Sequence, residues 1–402
     1  MNDIGVVMPV YNQVPSYLIT AIQSILNQSY SHFQLVIVID GASTETVTIV
    51  EQETKEDKRV KIIYKEKNEG VSKALNTGFD YLMNFSDIKY FTWVSSDNIY
   101  YDVFLEELRK VLHEGPPNLG LVYSSFRHVD EDGMLTKGHP IFEDFHKFQD
   151  QPKEKLLDVC LIGVSFMYKK YFAQQLDGYV MEPIEDYEYW LRLTEICEVK
   201  YIPLELMDYR VDSPKSISSQ LKSSIKQHRR WRYAFNLARQ QARNRRNIPF
   251  ELTILFPVKE GSAETIKKLE ELYDQSFSNF KVLVLDISPN SIAIPKLNQI
   301  SDPRCAFLKL PNMEEIEAIK LGVKAADTTY TILLGKGVFP SSVSVLYNLI
   351  TFHQQLEDRF PGHSAFDNDG GAVSYRKDCS LDEPTFGQVY KTVTLLKALN
   401  NH

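Results

Sequence analysis

Three groups of residues in this sequence have the types and spacing to do chemistry on a charged ligand. The apolar run ending in Trp93-Val94 stops at Ser95-Ser96-Asp97-Asn98, where small polar residues surround one carboxylate. Phe33 to Ile39 stops in the same way at Asp40-Gly41-Ala42-Ser43, and Ile4 to Val10, with Pro9, stops at Tyr11-Asn12. A buried parallel strand looks like this where it reaches the carboxyl edge of a sheet, and open α/β sheets place ligands along that edge. An acid at Asp97 can hold a divalent cation and, through it, the phosphates of a nucleotide, while one at Asp40 suits a hydrogen bond to ribose or base. Asp-Asn is also ordinary turn chemistry, so the Asp97 stretch alone establishes no site.

The elements that would position these groups follow from the pattern between them. Pro15 marks a helix start, with Leu18, Ile22, Ile25 and Leu26 at helical spacing. A helix with Thr46, Val47, Ile49 and Val50 follows the second strand, and Val60 to Tyr64 is a third strand. A helix opening in Asn68–Asn76 runs through Phe79, Leu82 and Met83 to a fourth strand at Tyr90 to Val94. Four alternations of strand and helix with short connections predict a doubly wound, mostly parallel α/β sheet. The sequence has no GxGxxG and no Walker lysine motif, which argues against dinucleotide-binding and P-loop enzymes.

Taken together, Pro9-Val10-Tyr11-Asn12, Asp40-Gly41-Ala42-Ser43, the spacing Asn68, Gly70, Ala74, Asn76, and Ser95-Ser96-Asp97-Asn98 resemble a family two glycosyltransferase of the GT-A fold. The resemblance implies inverting transfer of a sugar from a nucleotide-diphosphate donor, with UDP the expected nucleotide, to a hydroxyl on a glycan, lipid-linked or protein acceptor. Pro9, Val10, Tyr11, Asn12, Asp40, Asn68, Gly70, Lys73, Ser96 and Asp97 would then contact the donor. It implies a divalent cation, manganese or magnesium, on Asp97. The family's first acid in this segment is replaced by Ser95. Downstream, Cys160 to Lys170 resembles the family's segment beside donor sugar and acceptor, and Ile184-Glu185-Asp186-Tyr187 resembles its acidic motif before a helix. The resemblance makes Asp186 the base that takes the acceptor's proton, with Glu185 as its neighbour and second candidate. Acids in a first helical turn also stabilise the helix dipole with no further role. Tyr209-Arg210-Val211-Asp212 resembles a Tyr-Arg-x-His segment whose histidine can join the metal; Asp212 stands at that position here.

Between Arg127 and Lys155 lies a polar stretch of little periodicity, expected to be a solvated loop and a candidate acceptor-binding lid. Its histidines, His128, His139 and His146, have no metal-site spacing. From Ser213 to Phe250 there is no acidic residue and ten Lys and Arg, with apolar positions at steps of three and four from Leu221 to Ala242. Residues 216–249 are therefore expected to be a basic amphipathic helix that connects domains, meets anionic lipid at a membrane surface, or clamps a diphosphate acceptor. It would separate a catalytic domain at 1–215 from a second, smaller Rossmann-like α/β domain at 250–402. The second half repeats the first: Leu252 to Val258 echoes the first strand, Asp274 to Phe280 echoes Asn27 to Phe33, Val282 to Asp286 echoes Val36 to Asp40, and Ala318 to Gly322 echoes Ala74 to Gly78. Gly337 falls where Asp97 stood, so this half is expected to be non-catalytic and to serve packing, homodimerisation or the holding of a partner.

The chain has 402 residues, 43% hydrophobic and 24% charged, which suits a globular protein of two or three domains. A net charge of −8 argues against nucleic acid as a general partner. Four scattered cysteines suggest neither a metal knuckle nor a disulfide framework. No apolar run is long enough to span a membrane and the N-terminus lacks signal-peptide character, so a cytoplasmic location is expected, with peripheral contact at the inner face of the membrane left open through the basic helix. Two other function classes remain open. A non-catalytic nucleotide-sugar-binding or scaffold protein would fit the missing first acid. A nucleotidyltransferase would need a glycine- and arginine-rich loop after the first strand, which Tyr11-Asn12-Gln13-Val14 is not.

Overall fold

The computed structural model describes residues 2–136, 142–211, 213, 224–334, 340–356, 362–367, 372–378 and 387–400. Asp212, Gly337 and His139 lie outside the described residues. The chain divides into two compact units, Met1–Ala234 and Phe235–His402.

The first unit opens with β1 (Ile4–Val10), α1 (Pro15–Leu26), β2 (Phe33–Asp40), α2 (Thr44–Thr54), β3 (Val60–Lys65), α3 (Val71–Met83) and β4 (Tyr90–Trp93). The four strands pair in parallel in the order β3-β2-β1-β4. Pro15 starts α1, where its fixed φ suits the first helical turn, and Leu18, Ala21, Ile22 and Ile25 bury the helix against one face of the sheet. The Ser43 side chain caps α2 by accepting from the Thr46 amide, so the last residue of the Asp40–Ser43 group is a helix cap. On the other face, Ala74, Leu75, Phe79 and Leu82 seat α3. A side chain at Gly78 would come within 2.5 Å of Val7, so the helix packs this closely only because that position is bare.

The sheet then departs from a uniform direction. After β5 (Ile99–Tyr100), α4 (Phe104–Glu114) and β6 (Leu119–Val129) come α5 (Phe142–Gln149), β7 (Phe166–Lys169), α6 (Lys170–Ala173), α7 (Glu185–Ile196) and β8 (Glu198–Arg210). Strand β7 runs antiparallel between β4 and β6, and β5 antiparallel against β8, completing an eight-stranded mixed sheet. The expected mostly parallel α/β sheet is present.

The described parts of the stretch from Arg127 to Lys155, 127–136 and 142–155, are not a solvated loop. They contain the end of β6, a turn closed by a Val129–Leu135 bridge, helix α5, and a 3-10 turn at Lys153–Leu157. Helix α5 docks through Phe145, 5.2 Å from Phe126, and through buried Gln149, whose Oε1 accepts from the Ser125 hydroxyl at 2.6 Å. The Tyr123 hydroxyl donates to the Gln149 carbonyl. His146 adds a ring contact to Tyr201, so two rings and one amide carry the docking from within a charged segment.

Helix α8 spans Ile225–Arg245, within the expected 216–249, and the division between the units falls inside it. The second unit builds β9 (Leu252–Val258), α9 (Ala263–Tyr273), β10 (Phe280–Asp286), α10 (Ile294–Leu297), β11 (Cys305–Lys309), α11 (Glu315–Ala325), β12 (Tyr330–Leu333), α12 (Val345–Leu356), β13 (Gly362–Asp367), β14 (Val373–Asp378), β15 (Gln388–Lys391) and α13 (Thr392–Asn400). Its strand order is β11-β10-β9-β12-β15-β13-β14, with β15 antiparallel between β12 and β13 as β7 is between β4 and β6.

The repetition reaches individual side chains. Arg59 lies 4.4 Å over Phe33, pairs with Asp57 and donates to the Leu26 carbonyl. Arg304 lies 4.2 Å over Phe280, pairs with Asp302 and donates to the Tyr273 carbonyl. Gln28 accepts from the Leu105 amide and donates to the Tyr101 carbonyl, as Gln275 does with Leu346 and Ser342. One expected correspondence is off by a residue. Val10 pairs with Ile39 while Val258 pairs with Asp286, so Asp286 stands where Ile39 does and not where Asp40 does. A shift of one along a strand reverses the face.

Candidate functional site

The carboxyl ends of β1, β2 and β4 form one rim. At β1, Pro9 lies within the strand, the Val10 side chain belongs to the core, and Tyr11 is about half exposed. The Asn12 side-chain oxygen accepts from the Ser43 amide at 2.7 Å, tying the first strand end to the second.

Asp40 is buried and held from three sides. Its carboxylate accepts from the amides of Glu69 at 3.1 Å and Gly70 at 3.0 Å, and the Lys65 ammonium sits 3.1 Å away. Two glycines make this possible. Gly41 has φ of 66° and a side chain there would meet the Asn68 amide at 2.3 Å; Gly70 has φ of 97° and would meet Glu182 Oε1 at 2.4 Å. Both backbones sit in the left-handed region, where a Cβ is costly. Asn68 supports the same turn, accepting from the Gly70 amide at 3.1 Å. Lys73 is largely exposed and lies 3.8 Å from Glu69.

The start of α3 is fastened to the segment before α7. Glu182 Oε1 accepts from the Ser72 amide at 3.0 Å. Asn76 exchanges two hydrogen bonds with the Tyr179 backbone, each 2.8 Å, against Gly178, where a Cβ would lie 2.2 Å from its oxygen. The Asn68, Gly70, Ala74, Asn76 pattern thus has a structural basis at each position: a turn oxygen, a left-handed backbone, a small packed residue and a clamp.

At the end of β4, Ser96, Asp97 and Asn98 are all buried. The Ser95 hydroxyl donates to Asp97 Oδ1 at 2.6 Å, and the Ser95 amide donates to the Tyr100 hydroxyl. Burial pushes the Asp97 carboxyl above the ordinary carboxylate range, while the Ser95 hydroxyl and the Arg210 charge draw it down. Arg210 organises the surroundings. Its backbone amide donates to Asn98 Oδ1, and its guanidinium donates to the carbonyls of Asp97, Asp130 and Glu131 and stacks 4.0 Å over Tyr17. The oxygens of Ser95, Ser96 and Asp97 are donors of the hard type that magnesium and manganese take, so they fit a cation completed by a ligand's phosphates. Among the described residues, no group of three or more His, Cys, Asp or Glu side chains could hold a metal by itself.

Glu185 and Asp186 occupy the first turn of α7. Glu185 is buried, its Oε2 has no hydrogen-bond partner, and burial, then the Asp186 charge, push its carboxyl up to about 8. Asp186 is half-buried; its Oδ1 accepts from the Tyr187 amide at 2.6 Å, and burial raises its carboxyl as well. Two adjacent carboxyls, both pushed up, are the arrangement from which a general base working near neutrality is made. Arg192 fixes the helix by pairing with Glu188 at 2.7 Å and donating to the Asp177 and Gly178 carbonyls.

Of the residues singled out in the sequence, Asp40, Asn68 and Gly70 meet in one network, Asn12 joins it through Ser43, and Asp97 and Ser96 sit at the neighbouring strand end. Lys65, Glu182 and the role of Arg210 were not legible. Lys65 lies directly across the ladder from Asp40, a pairing that needs the strand register. His128 packs among Phe126, Phe145 and Tyr209, in an aromatic cluster.

Residues 5–176 match the family model described as Glycosyl transferase family 2. An uncharacterized glycosyltransferase of Rickettsia bellii is 23% identical over 376 residues, 82% of this chain and 52% of its own length. One from Methanocaldococcus jannaschii is 26% identical over 54% of this chain and 74% of its own. Glycosyltransferase GlyA of Streptococcus pneumoniae is 31% identical over 45% of this chain and 23% of its own. The chain therefore spans about half the length of the Rickettsia relative. Among solved structures, a Pyrobaculum calidifontis mannosyltransferase in complex with GDP-Man and Mn2+ aligns at a TM-score of 0.44 and 15% identity, over 61% of this chain and 64% of that one. S. aureus TarS in complex with UDP-GlcNAc aligns at 0.45 and 13%, over 59% and 66%.

Proposed function

Because residues 5–176 match the Glycosyl transferase family 2 model, we propose that the chain is an inverting glycosyltransferase that moves a sugar from a nucleotide-diphosphate donor to a hydroxyl acceptor. The observation that carries this is the pair of raised carboxyls at the start of α7, Glu185 and Asp186, in the same unit as a rim holding Asp40 and Asp97. Asp186 takes the proton of the acceptor hydroxyl as that oxygen bonds to the anomeric carbon and the bond to the nucleoside diphosphate breaks. Its raised pKa brings it nearer the working pH, where an acceptor base is most effective. Asp40, fixed by two amides and Lys65, presents its remaining acceptor capacity to ribose or base, alongside Tyr11, Asn12 and the Asn68–Gly70 turn. Lys73, exposed at the start of α3, reaches a donor phosphate. Asp97, with Asp212, would hold a divalent manganese or magnesium ion, which when bound stabilises the charge developing on the departing diphosphate. Ser95 and Arg210 keep the Asp97 turn in one conformation.

The second unit serves as a non-catalytic repeat, a role supported by Asp286 facing the layer opposite to Asp40's. No described helix is long and apolar enough to cross a membrane, and α8 remains the segment through which peripheral contact would occur.

Sugar transfer measured on a donor and acceptor panel tests the assignment. Asp97→Ala and Asp186→Asn should each lower turnover by at least about a hundredfold, the scale of a lost acid–base group. If both retain transfer, the assignment is wrong. The serine at position 95 favours a second possibility, a donor-binding partner without turnover. Calorimetric donor binding with manganese, but no transfer or hydrolysis, would establish that instead.

A further inference from the structure

Arg210, the last residue of β8, is over nine-tenths buried, and its guanidinium is held by backbone carbonyls alone. Nε donates to the Asp97 carbonyl at 3.2 Å, and Nη1 donates to the carbonyls of Asp130 and Glu131, each at 2.7 Å. Among the described residues, Nη2 has no hydrogen-bond partner, yet it is not closed off from solvent. The Arg210 charge draws the Asp97 carboxyl down, but no carboxylate among the described residues forms an ion pair with it. The N–H donors of Nη2 and a full positive charge are therefore left over.

The shape of the guanidinium decides where those donors point. It is planar, its donors form a fixed fork, and the Nε–H shares one edge with an Nη2–H. Arg59 shows that edge closed on an acid, since both its Nε and its Nη2 meet the Asp57 carboxylate. At Arg210 the same edge faces the Asp97 turn, because Nε is bonded there, while Nη1 is held by the turn after β6. Tyr17 covers one face of the plane at 4.0 Å. With Nε, Nη1 and one face fixed, the group cannot swing, and Nη2 is presented beside the strand end that carries Ser95, Ser96 and Asp97. A donor already in place lowers the ordering cost of a ligand.

A buried charge without a counter-charge is costly, and carbonyls orient a guanidinium without neutralising it. Ser95 stands in place of the first acid of the resembled family, so this strand end adds only the Asp97 carboxylate. The guanidinium fork matches phosphoryl oxygens, and its charge persists at any working pH. We propose that Arg210 is a further catalytic residue, whose Nη2 edge binds the diphosphate of the donor directly, independently of a divalent ion on Asp97. This rests on the reading of the rim as a nucleotide-sugar site. As the bond from the anomeric carbon to the diphosphate oxygen breaks, its electron pair stays on that oxygen. Nη2 donates to the phosphoryl oxygens over which the charge spreads. Arg210 keeps its protons, and the acceptor's proton goes to Asp186.

Inorganic pyrophosphate is titrated into the full chain by calorimetry with EDTA present, so that no metal bridges it. Inorganic phosphate is the single-phosphoryl control. Wild type is compared with Arg210→Gln and with Arg210→Lys, which keeps the charge and loses the fork. Asn98→Ala removes the acceptor of the Arg210 amide and loosens the same turn without touching the guanidinium. Wild type should bind pyrophosphate at least about tenfold more tightly than phosphate. Arg210→Gln should lose at least about tenfold of that affinity, Arg210→Lys a smaller part, and Asn98→Ala should stay within about threefold of wild type. A wild type that does not bind pyrophosphate without metal, or that binds phosphate equally well, overturns the assignment, as do Arg210 variants that bind like wild type. An equal loss in Asn98→Ala also overturns it, because the shape of the turn and not the guanidinium would then hold the anion. Should Arg210→Gln fail to fold, Arg210→Lys and the wild-type titration decide alone. Sugar transfer is not read here, so failure of this contact leaves the Asp97 and Asp186 assignments standing. A chain without transfer that still binds pyrophosphate through Arg210 would strike the transferase reading and not this contact.

Discussion

Replacing Glu185 by Gln should make the first unit more stable at alkaline pH and leave it nearly unchanged at acid pH. The carboxyl is buried, one oxygen has no partner, and the folded chain holds its proton up to about 8 against an ordinary value of 4.5. Between those two values the folded state binds more protons than the unfolded one, so stability falls as pH rises. Glu185 therefore costs nothing below about pH 4.5 and costs most above about 8. At about 1.4 kcal/mol per unit, the full span reaches on the order of 5 kcal/mol, part of which belongs to repulsion from Asp186. Glutamine keeps the shape and cannot ionise.

Urea unfolding followed by circular dichroism at several pH values would read this, with midpoints compared at constant slope. Wild type and Glu185→Gln should match within about 1 kcal/mol near pH 5 and diverge by a few kcal/mol near pH 8.5, the variant being the more stable. In a unit of this size that divergence corresponds to roughly 10 °C in Tm. Asp186→Asn should also gain stability at alkaline pH, since it removes the second cause of the Glu185 shift together with the burial cost of its own charge. Parallel pH curves for wild type and Glu185→Gln would refute the reasoning, because they would mean that Glu185 carries the same charge folded and unfolded.

Gly70→Ala should destabilise the first unit by about 2 kcal/mol in urea, combining a left-handed backbone with a side chain driven into Glu182. Arg304→Ala should cost about 3–5 kcal/mol in the second unit, where the Asp302 left behind is fully buried. The matching Arg59→Ala should cost only about 1 kcal/mol, because that pair is about a fifth exposed; equal losses would show that burial is not what separates them. Asp97→Asn should abolish any manganese-dependent gain in donor affinity by calorimetry while leaving Tm within about 2 °C of wild type.

Much of the rim could be read from the sequence because its signals are local. A strand that ends in Asp-Gly or Ser-Asp announces its own edge, and Pro15 and the period of α1 and α3 fix where the helices lie. What could not be read depends on register and on distant packing. Lys65 answers Asp40 only because β3 pairs with β2 in one register, and Glu182 reaches the start of α3 from 110 residues downstream. Arg210 stood in a motif but binds backbone carbonyls, which no residue identity betrays. Helix α5 was hidden in a charged stretch because its docking rests on Phe145, His146 and Gln149.

The repeat shows how little separates an acid at the rim from one spent in its own turn. Both units end their second strand in aspartate, and alignment by residue type sets Asp286 on Asp40. The ladders place it one residue earlier, opposite Val258, as Ile39 is opposite Val10. Asp40 therefore turns toward the layer of α3, where the Glu69 and Gly70 amides and Lys65 receive it. Asp286 turns toward the layer that corresponds to α1 and α2. There, fully buried, it accepts from the Ser288 amide and hydroxyl and from the Ile294 amide. Its oxygens are consumed in holding the turn that follows its own strand. Asp40 is braced by a different element and stays at the rim. The second unit has the carboxylate in composition but not in position, a difference of one residue in register.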